Sequence, residues 1–506
     1  MRFSVLWLSD IDLRAEIACY QAVLTSKTGG KNDMISQIAA FTIVISFGAA
    51  MFTSSVVSRR SRGLDLFLVA DRSVGTWVGA MSVASTWIWA PALFLASQKA
   101  YQQGLPGLMW FTVPNVGCLV VFAFLAPRIR AHFPKGYTLP QCIGSRFDTK
   151  THLIYLFCFL SLQICSLAVQ LIAGAALLNT MCGISYAVGA VMLAVMFTSY
   201  SLIDGLRSSI RTDLFQMVII FLGMAALIPL AVIKGGGTAA ITAGFDGFNG
   251  KYGSIFDPHV AYSFGITVTI GLMSGPVGDQ QHWQRAFAFQ QGKAFKGYFL
   301  GAAIFAIVPL GMSILGFIGA GNPDAAPAVY AGKVSAQQIG PEVIRTLLPS
   351  WGMIIFMVMI LGGLASTGDS ALCAGGSLVA IDIYRRYIRS DASDENVLRI
   401  SRFALLAISL LALGISLIPG ITILSLFLFY GTLRSSTLMP TILMLFRKNV
   451  PSWGMFWGVA SAIAFGLPVY LIGELIGNID LKVGANIGIV LISLALPLIA
   501  AVKNET

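Results

Sequence analysis

Long apolar runs dominate the pattern of this chain. A helix rises 1.5 Å per residue, so about 20 predominantly apolar residues cross a bilayer core. Thirteen such runs are present, at about 35–57, 74–97, 107–127, 152–178, 184–203, 213–233, 259–279, 296–319, 350–381, 400–418, 420–446, 453–475 and 485–502. They are continuous and show no alternation of period two, which excludes barrel strands. The pattern predicts an all-α polytopic membrane protein with thirteen transmembrane helices. Residues 1–33 are polar, precede Met34 and contain no signal-peptide core with a cleavage site. They are read as an N-terminal extension without ordered structure, ahead of a membrane domain over 35–505.

Composition agrees and narrows the class. Of 506 residues, 56% are apolar and 11% charged, with mean hydropathy +0.80, against about 25% charged residues in soluble domains. Net charge is +11. Sorted by loop, 22 basic residues fall on one side of the thirteen spans and six on the other, with Arg285 counted among the 22 as a loop residue after span seven. That bias places the N-terminus outside and the C-terminus in the cytoplasm of a multi-pass cell-membrane protein. It also accounts for the basic balance without a nucleic-acid partner.

Chemistry-bearing residues are sparse. The seven cysteines form no CxxC pair, so neither a transition-metal site nor a disulfide framework is expected. The four histidines never stand four apart. No GxxxxGK[ST] loop is present, which removes ATP-driven transport. No nucleophile with a base, nor any metal constellation, supports an enzyme. A membrane sensor would need an output domain, and only Lys503–Thr506 follow the last run.

What remains is a set of irregular spans. Span two contains Ser85-Thr86-Trp87-Ile88-Trp89-Ala90-Pro91, and span seven contains Ser274-Gly275-Pro276-Val277-Gly278-Asp279. Glycine and proline in this company weaken a helix more than one kink requires. Broken helices free backbone groups for ligands at membrane depth. The two breaks lie five spans apart, and units of five spans enter the membrane from opposite sides. Spans 74–233 and 259–446 are therefore expected to form two inverted five-helix repeats, with 35–57, 453–475 and 485–502 as additional helices. Two unrelated kinks in a bundle are the plainer alternative.

Span nine carries Gly363, Ser366 and Thr367 at i, i+3 and i+4 on one helical face. Two hydroxyls and freed carbonyls suit a dehydrated Na⁺. Equally, membrane Ser and Thr often bond back to the i−4 carbonyl or pack as small residues.

Three stretches give the chain a family likeness: Asp71-Arg72-Ser73 before span two, Thr212-Asp213-Leu214-Phe215-Gln216 at span six, and Ala365-Ser366-Thr367-Gly368-Asp369-Ser370 with Asp382-Ile383-Tyr384 in span nine. In this order the chain resembles the sodium:solute symporter family over nearly all of 35–505. The resemblance implies a leucine-transporter-like architecture. It implies a sodium site made by Ser85 and Ile88 carbonyls, the Gly363 carbonyl and the Ser366 and Thr367 hydroxyls, with Asp213 on the sodium path. Some members carry an aspartate where Trp87 stands here. Asp213 reads equally as a carboxylate at a helix N-terminus, favoured by the dipole.

Substrate contacts are expected at the same breaks. Trp87 and Trp89 would flank a small polar solute, with Ser274, Gly275 and Pro276 supplying hydrogen-bonding groups; helix packing is the alternative role for the tryptophans. Arg434, inside span eleven, is an ionisable residue at membrane depth. It is a candidate contact for an anionic substrate or a structural partner for a carboxylate such as Asp369. The motifs around Ser85–Ala90 and Gln281–Ala286 look most like the urea-transporting branch.

The resulting expectation is a sodium-coupled symporter that imports a small organic solute by alternating access, urea-like in the first instance. Na⁺ is the coupling ion, and the lipid bilayer, the ion and the solute are the partners. The alternatives are an amino-acid or monocarboxylate symporter, or proton coupling. Oligomeric state is left open, because small-residue faces serve internal packing as readily as dimerisation.

Overall fold

The computed structural model describes residues 35–57 and 63–503; the extension read at 1–33 lies outside them. The described chain is nearly all helical. Its main helices are α1 (Gln37–Val57), α2 (Thr76–Trp87), α3 (Ala90–His132), α4 (Thr149–Cys182), α5 (Tyr186–Lys234), α6 (Ile266–Met273), α7 (Gln280–Ala288), α8 (Ala294–Gly321), α9 (Ser350–Ser377), α10 (Asp394–Ser416), α11 (Ile423–Phe446), α12 (Ser452–Leu475) and α13 (Ile479–Lys503). Among the described residues nine helices are long and apolar enough to cross a membrane. The broken elements α2, α6 and α7 are too short to be counted among them.

Local sequence explains most boundaries. Asp148 caps α4, accepting from the Thr151 N–H at 2.9 Å and its Oγ1 at 2.6 Å, and Gly183 ends that helix at φ +64°, a conformation glycine adopts without penalty. Thr422 and Ser425 form a reciprocal capping box on α11. Two pairs of runs expected as separate spans are each joined at a glycine: α3 reverses at Gly104 (φ +62°) and α5 at Gly205 (φ +56°). At Gly104 a Cβ would stand 1.9 Å from the Phe245 carbonyl oxygen, so the reversal needs both the positive φ and the missing side chain.

Packing sorts the helices into centre and rim. The most apolar stretches of α4 and of the span starting at Ser350 are 78% buried, against 33% for α1, α10 and α12. Side chains such as Phe124, Leu222 and Leu410 remain exposed, as lipid-facing positions require. The most extensive contacts join α8 to α3, α12 to α13, α9 to α5, α8 to α2 and α9 to α4. The second and third spans expected in the first repeat (in α3 and α4) thus pack on those expected in the second (α8 and α9), an arrangement compatible with a two-fold relation within the membrane.

One end of the bundle is tied by basic side chains donating to carbonyls at helix ends and in the turn after α3. Arg72 donates to the Gly136 oxygen at 2.8 Å, Arg146 to the Met444 and Arg447 oxygens at 2.6 and 2.5 Å, and Arg386 to the Gly144 oxygen at 2.8 Å. Helix C-termini favour such charges.

Candidate functional site

The helix of α2 stops at Trp87. Ile88 (φ −83°, ψ 74°) and Trp89 (φ −99°, ψ 173°) are non-helical, and the chain re-enters helix at Ala90 with Pro91 in its first turn. Proline fits there because the first turn lacks an N–H partner anyway. The second break follows α6: residues 274–279 leave the helix, and Asp279 caps α7 by accepting from the Gln281 N–H at 2.9 Å. Both interruptions read from the sequence are therefore present.

The unwound backbone of the first break faces α9. Thr367 Oγ1 lies 3.0 Å from the Thr86 carbonyl oxygen, 3.4 Å from that of Ile88 and 3.5 Å from that of Gly363. A hydroxyl carries one proton and can satisfy one carbonyl at a time. The cluster thus holds more oxygen lone pairs than donors, the electrostatic condition for a small cation. Gly363 permits the approach, since a Cβ there would stand 3.2 Å from the Ile88 oxygen and 2.7 Å from Leu93.

Of the five expected ligands, Ile88, Gly363 and Thr367 converge. The Ser85 carbonyl accepts from the Ile88 N–H at 3.0 Å, and the Ser366 hydroxyl donates instead to Asp213 Oδ1 at 2.5 Å. The Thr86 carbonyl, not foreseen, takes the nearest place. Thr367 reaches across to another helix in preference to its own i−4 carbonyl.

Beside this cluster lies a buried ionic network. Arg285 donates through Nη2 to Asp213 Oδ2 at 3.0 Å and to Ser370 Oγ at 2.7 Å, and through Nε to Ser82 Oγ at 2.9 Å. Ser82 donates in turn to Asp213 Oδ2 at 2.5 Å. Asp369 accepts from Ser209 Oγ at 2.6 Å and Thr212 Oγ1 at 3.3 Å. Two expectations are corrected here. Arg285, counted with the basic loops on sequence, has a buried side chain, because α7 folds back inward after the second break. Asp213 is no N-terminal dipole residue: it stands well past the first turn after Gly205, beyond the reach of the helix end. Charges so deeply buried persist only when paired and hydrogen-bonded.

Trp87 and Trp89 stack on one another, ring centroids 5.1 Å apart and planes 22° from parallel. They line a cavity together with Thr86 and Thr367 of the oxygen cluster. Its free volume is about 10 Å³, room for about one water-sized sphere. Ser274, Gly275 and Pro276 do not line it. Ser274 donates to the Gly271 oxygen at 2.9 Å and faces Ser435 Oγ at 3.0 Å, while Gly275 lies against the Trp87 ring, where a Cβ would come within 2.4 Å.

Arg434 does line the cavity, and it does not pair with Asp369. Its guanidinium sits over four rings, 4.9 Å from the Tyr430 centroid, 5.3 Å from Trp89, 5.8 Å from Phe427 and 5.9 Å from Trp87. A larger cavity of about 340 Å³ lies near Cys142, Arg146 and Lys448 and touches none of these residues.

A sequence profile of the Sodium:solute symporter family matches residues 67–461. The chain belongs to that family. Among its relatives, the urea-proton symporter DUR3 of rice is 24% identical over 87% of this chain and 66% of its own length. The sodium/pantothenate symporter of Haemophilus influenzae is 26% identical over 85% of this chain and 94% of its own. The chain spans between 56% and 67% of the lengths of the plant and yeast urea transporters it matches. A Na⁺-coupled sialic acid symporter, solved with substrate bound in an outward-open state, superposes with TM-score 0.73 at 18% identity, covering 90% of this chain and 97% of that one. The fold is thus that of the leucine-transporter-like symporters.

For this member of the family, sequence reasoning missed Thr86, Asp279 and Gln281 at the cavity wall and Arg285 in the network. Asp279 and Gln281 were visible as polar residues right after a glycine-rich break; Thr86 contributes only its backbone, which no side-chain pattern reveals.

Proposed function

We propose that this symporter couples the inward movement of Na⁺ to uptake of a small polar solute, with urea as the first solute to test. The observation that carries the reading is the convergence of Thr367 Oγ1 and three carbonyl oxygens beside the tryptophan-lined cavity, whose wall Thr86 and Thr367 share. Ile88, Gly363 and Thr367 form the ion site, with the Thr86 carbonyl, and Ser85 and Ser366 complete it when the break relaxes. Asp213 receives the ion on its way inward. Trp87 and Trp89 close over the solute, and Ser274, Gly275 and Pro276 act as the flexible joint beneath it. The transport domain occupies 35–505 with repeats at 74–233 and 259–446. It sits in the cell membrane with the N-terminus outside and the basic face in the cytoplasm.

Each Na⁺ moving inward across 100 mV releases about 2.3 kcal/mol, enough for roughly fifty-fold accumulation. The test is uptake of labelled urea by proteoliposomes under an imposed sodium gradient. Sodium-driven accumulation is expected. Uptake that ignores sodium and follows a pH step would establish proton coupling, the reading favoured by the rice relative's name.

A further inference from the structure

The cavity wall holds unused hydrogen-bonding groups of both kinds. Arg434 is 1% exposed, and its Nε and Nη2 have no hydrogen-bond partner among the described residues. Gln281 Oε1 is likewise buried without a donor. The hydrogen bonds received by the Asp279 side chain, from Gln163 Nε2 at 3.1 Å and the Gln281 N–H, both go to Oδ1. All three residues line the same cavity as Trp87 and Trp89. Their proximity is built in: Gly278, just before Asp279, packs so tightly on α11 that a Cβ would fall 2.3 Å from Arg434 Cβ.

Buried polar groups left without partners are costly, and a site that keeps them is shaped for a ligand that supplies the partners. The guanidinium fork donates, while Gln281 Oε1 and the Asp279 carboxylate accept. Trp87, Trp89 and Tyr430 share the wall with them, rings against which a planar molecule can stack. The formal charges of Arg434 and Asp279 cancel, so an anion would gain one partner and meet one repulsion.

We infer that this pocket recognises planar, uncharged amides of the urea and acetamide class, with the carbonyl oxygen on Arg434 and the N–H groups on Gln281 and Asp279. The inference rests on the symport reading for the pocket's role and goes beyond it in assigning the recognising atoms and rejecting carboxylates. Asp279 acts as the selectivity element. An asparagine there keeps the helix cap but leaves Arg434 uncancelled, so the variant should admit small carboxylates.

The test is competition against labelled urea uptake in proteoliposomes of the full chain, using acetamide, acetate and alanine. Acetamide should compete in the wild type, and acetate and alanine should not. In Asp279→Asn acetate should become a competitor, a gain that misfolding cannot mimic. In Arg434→Lys, which keeps the charge and loses the fork, the half-saturating urea concentration should rise about 10- to 100-fold. Competition by acetate or alanine equal to that of acetamide in the wild type, or unchanged selectivity in Asp279→Asn, overturns the assignment. Should no gradient drive urea uptake, the symport reading fails by itself, and tryptophan fluorescence of the purified protein decides recognition. A response to acetamide that is lost in Arg434→Lys upholds it; no response to urea or acetamide overturns it.

Discussion

Replacing Thr367 by valine tests the ion site with little change of shape. Valine fills the same volume in α9 but removes the oxygen that stands 3.0 to 3.5 Å from the Thr86, Ile88 and Gly363 carbonyls. An interaction between a hydroxyl and a charged partner contributes about 1.5–3 kcal/mol, and 1.4 kcal/mol is a tenfold change in affinity. The half-saturating sodium concentration should therefore rise about 10- to 100-fold. Thr367→Ser keeps the oxygen and should stay within a few-fold of wild type. Initial rates of urea uptake in proteoliposomes, with sodium varied against choline at constant ionic strength, give the number directly. Thermal unfolding in choline separates an ion effect from simple damage, since the three carbonyls also lose a donor in the empty protein. A Thr367→Val protein that folds and keeps the wild-type sodium dependence would refute the assignment. The double change Ser366→Ala with Thr367→Ala should abolish sodium stimulation altogether.

Three further outcomes concern other parts of the molecule. Arg285→Met leaves Asp213 buried without its partner and should destabilise by about 3–5 kcal/mol, seen as a lowered Tm that Asp213→Asn partly restores; no recovery in the double variant would dissociate the two residues. Gly205→Ala forces a side chain into φ +56° with its Cβ 2.4 Å from the Phe67 oxygen, costing at least about 1–2 kcal/mol, and unchanged thermal stability would contradict the reversal described. At the α4 cap, hydrogen bonds from the Thr151 hydroxyl and N–H hold the Asp148 carboxyl below the ordinary carboxylate range. A group with a depressed folded value stabilises above its unfolded pKa and loses that contribution as pH falls through the folded one. Asp148→Ala should thus lower Tm at neutral pH, and the gap to wild type should close below about pH 4.

Much of the fold was legible because bilayer thickness imposes its own unit of length on the sequence. The breaks at Ile88 and around Pro276 were legible for a related reason, since glycine and proline act locally wherever they stand. The course of the chain beyond a break was not legible. Once the backbone leaves the helix, the 3.6-residue period no longer says where a side chain points. Thus Arg285 looked like one more loop charge until α7 folded inward, and Ser274 looked like a solute contact until it turned to Ser435. Arg434 was recognised as unusual, and Phe427 and Tyr430 stand two turns and one turn before it on α11, but Trp87 and Trp89 at the first break and Asp279 and Gln281 at α7 come from distant segments, and no spacing within one segment encodes that meeting. The Ser366 hydroxyl, expected to face the ion, was claimed by Asp213 from a helix about 150 residues earlier.

Thr86 and Thr367 belong at once to the oxygen cluster and to the wall of the tryptophan cavity. Two ligands that share a wall are subject to thermodynamic reciprocity: whatever factor the ion adds to solute affinity, the solute must add to ion affinity. A single pair of binding isotherms, solute with and without sodium, therefore predicts the sodium isotherm with and without solute. If Thr367 holds the ion as proposed, that exchange passes through its hydroxyl and the carbonyl it faces, and Thr367→Val should reduce both factors by the same amount.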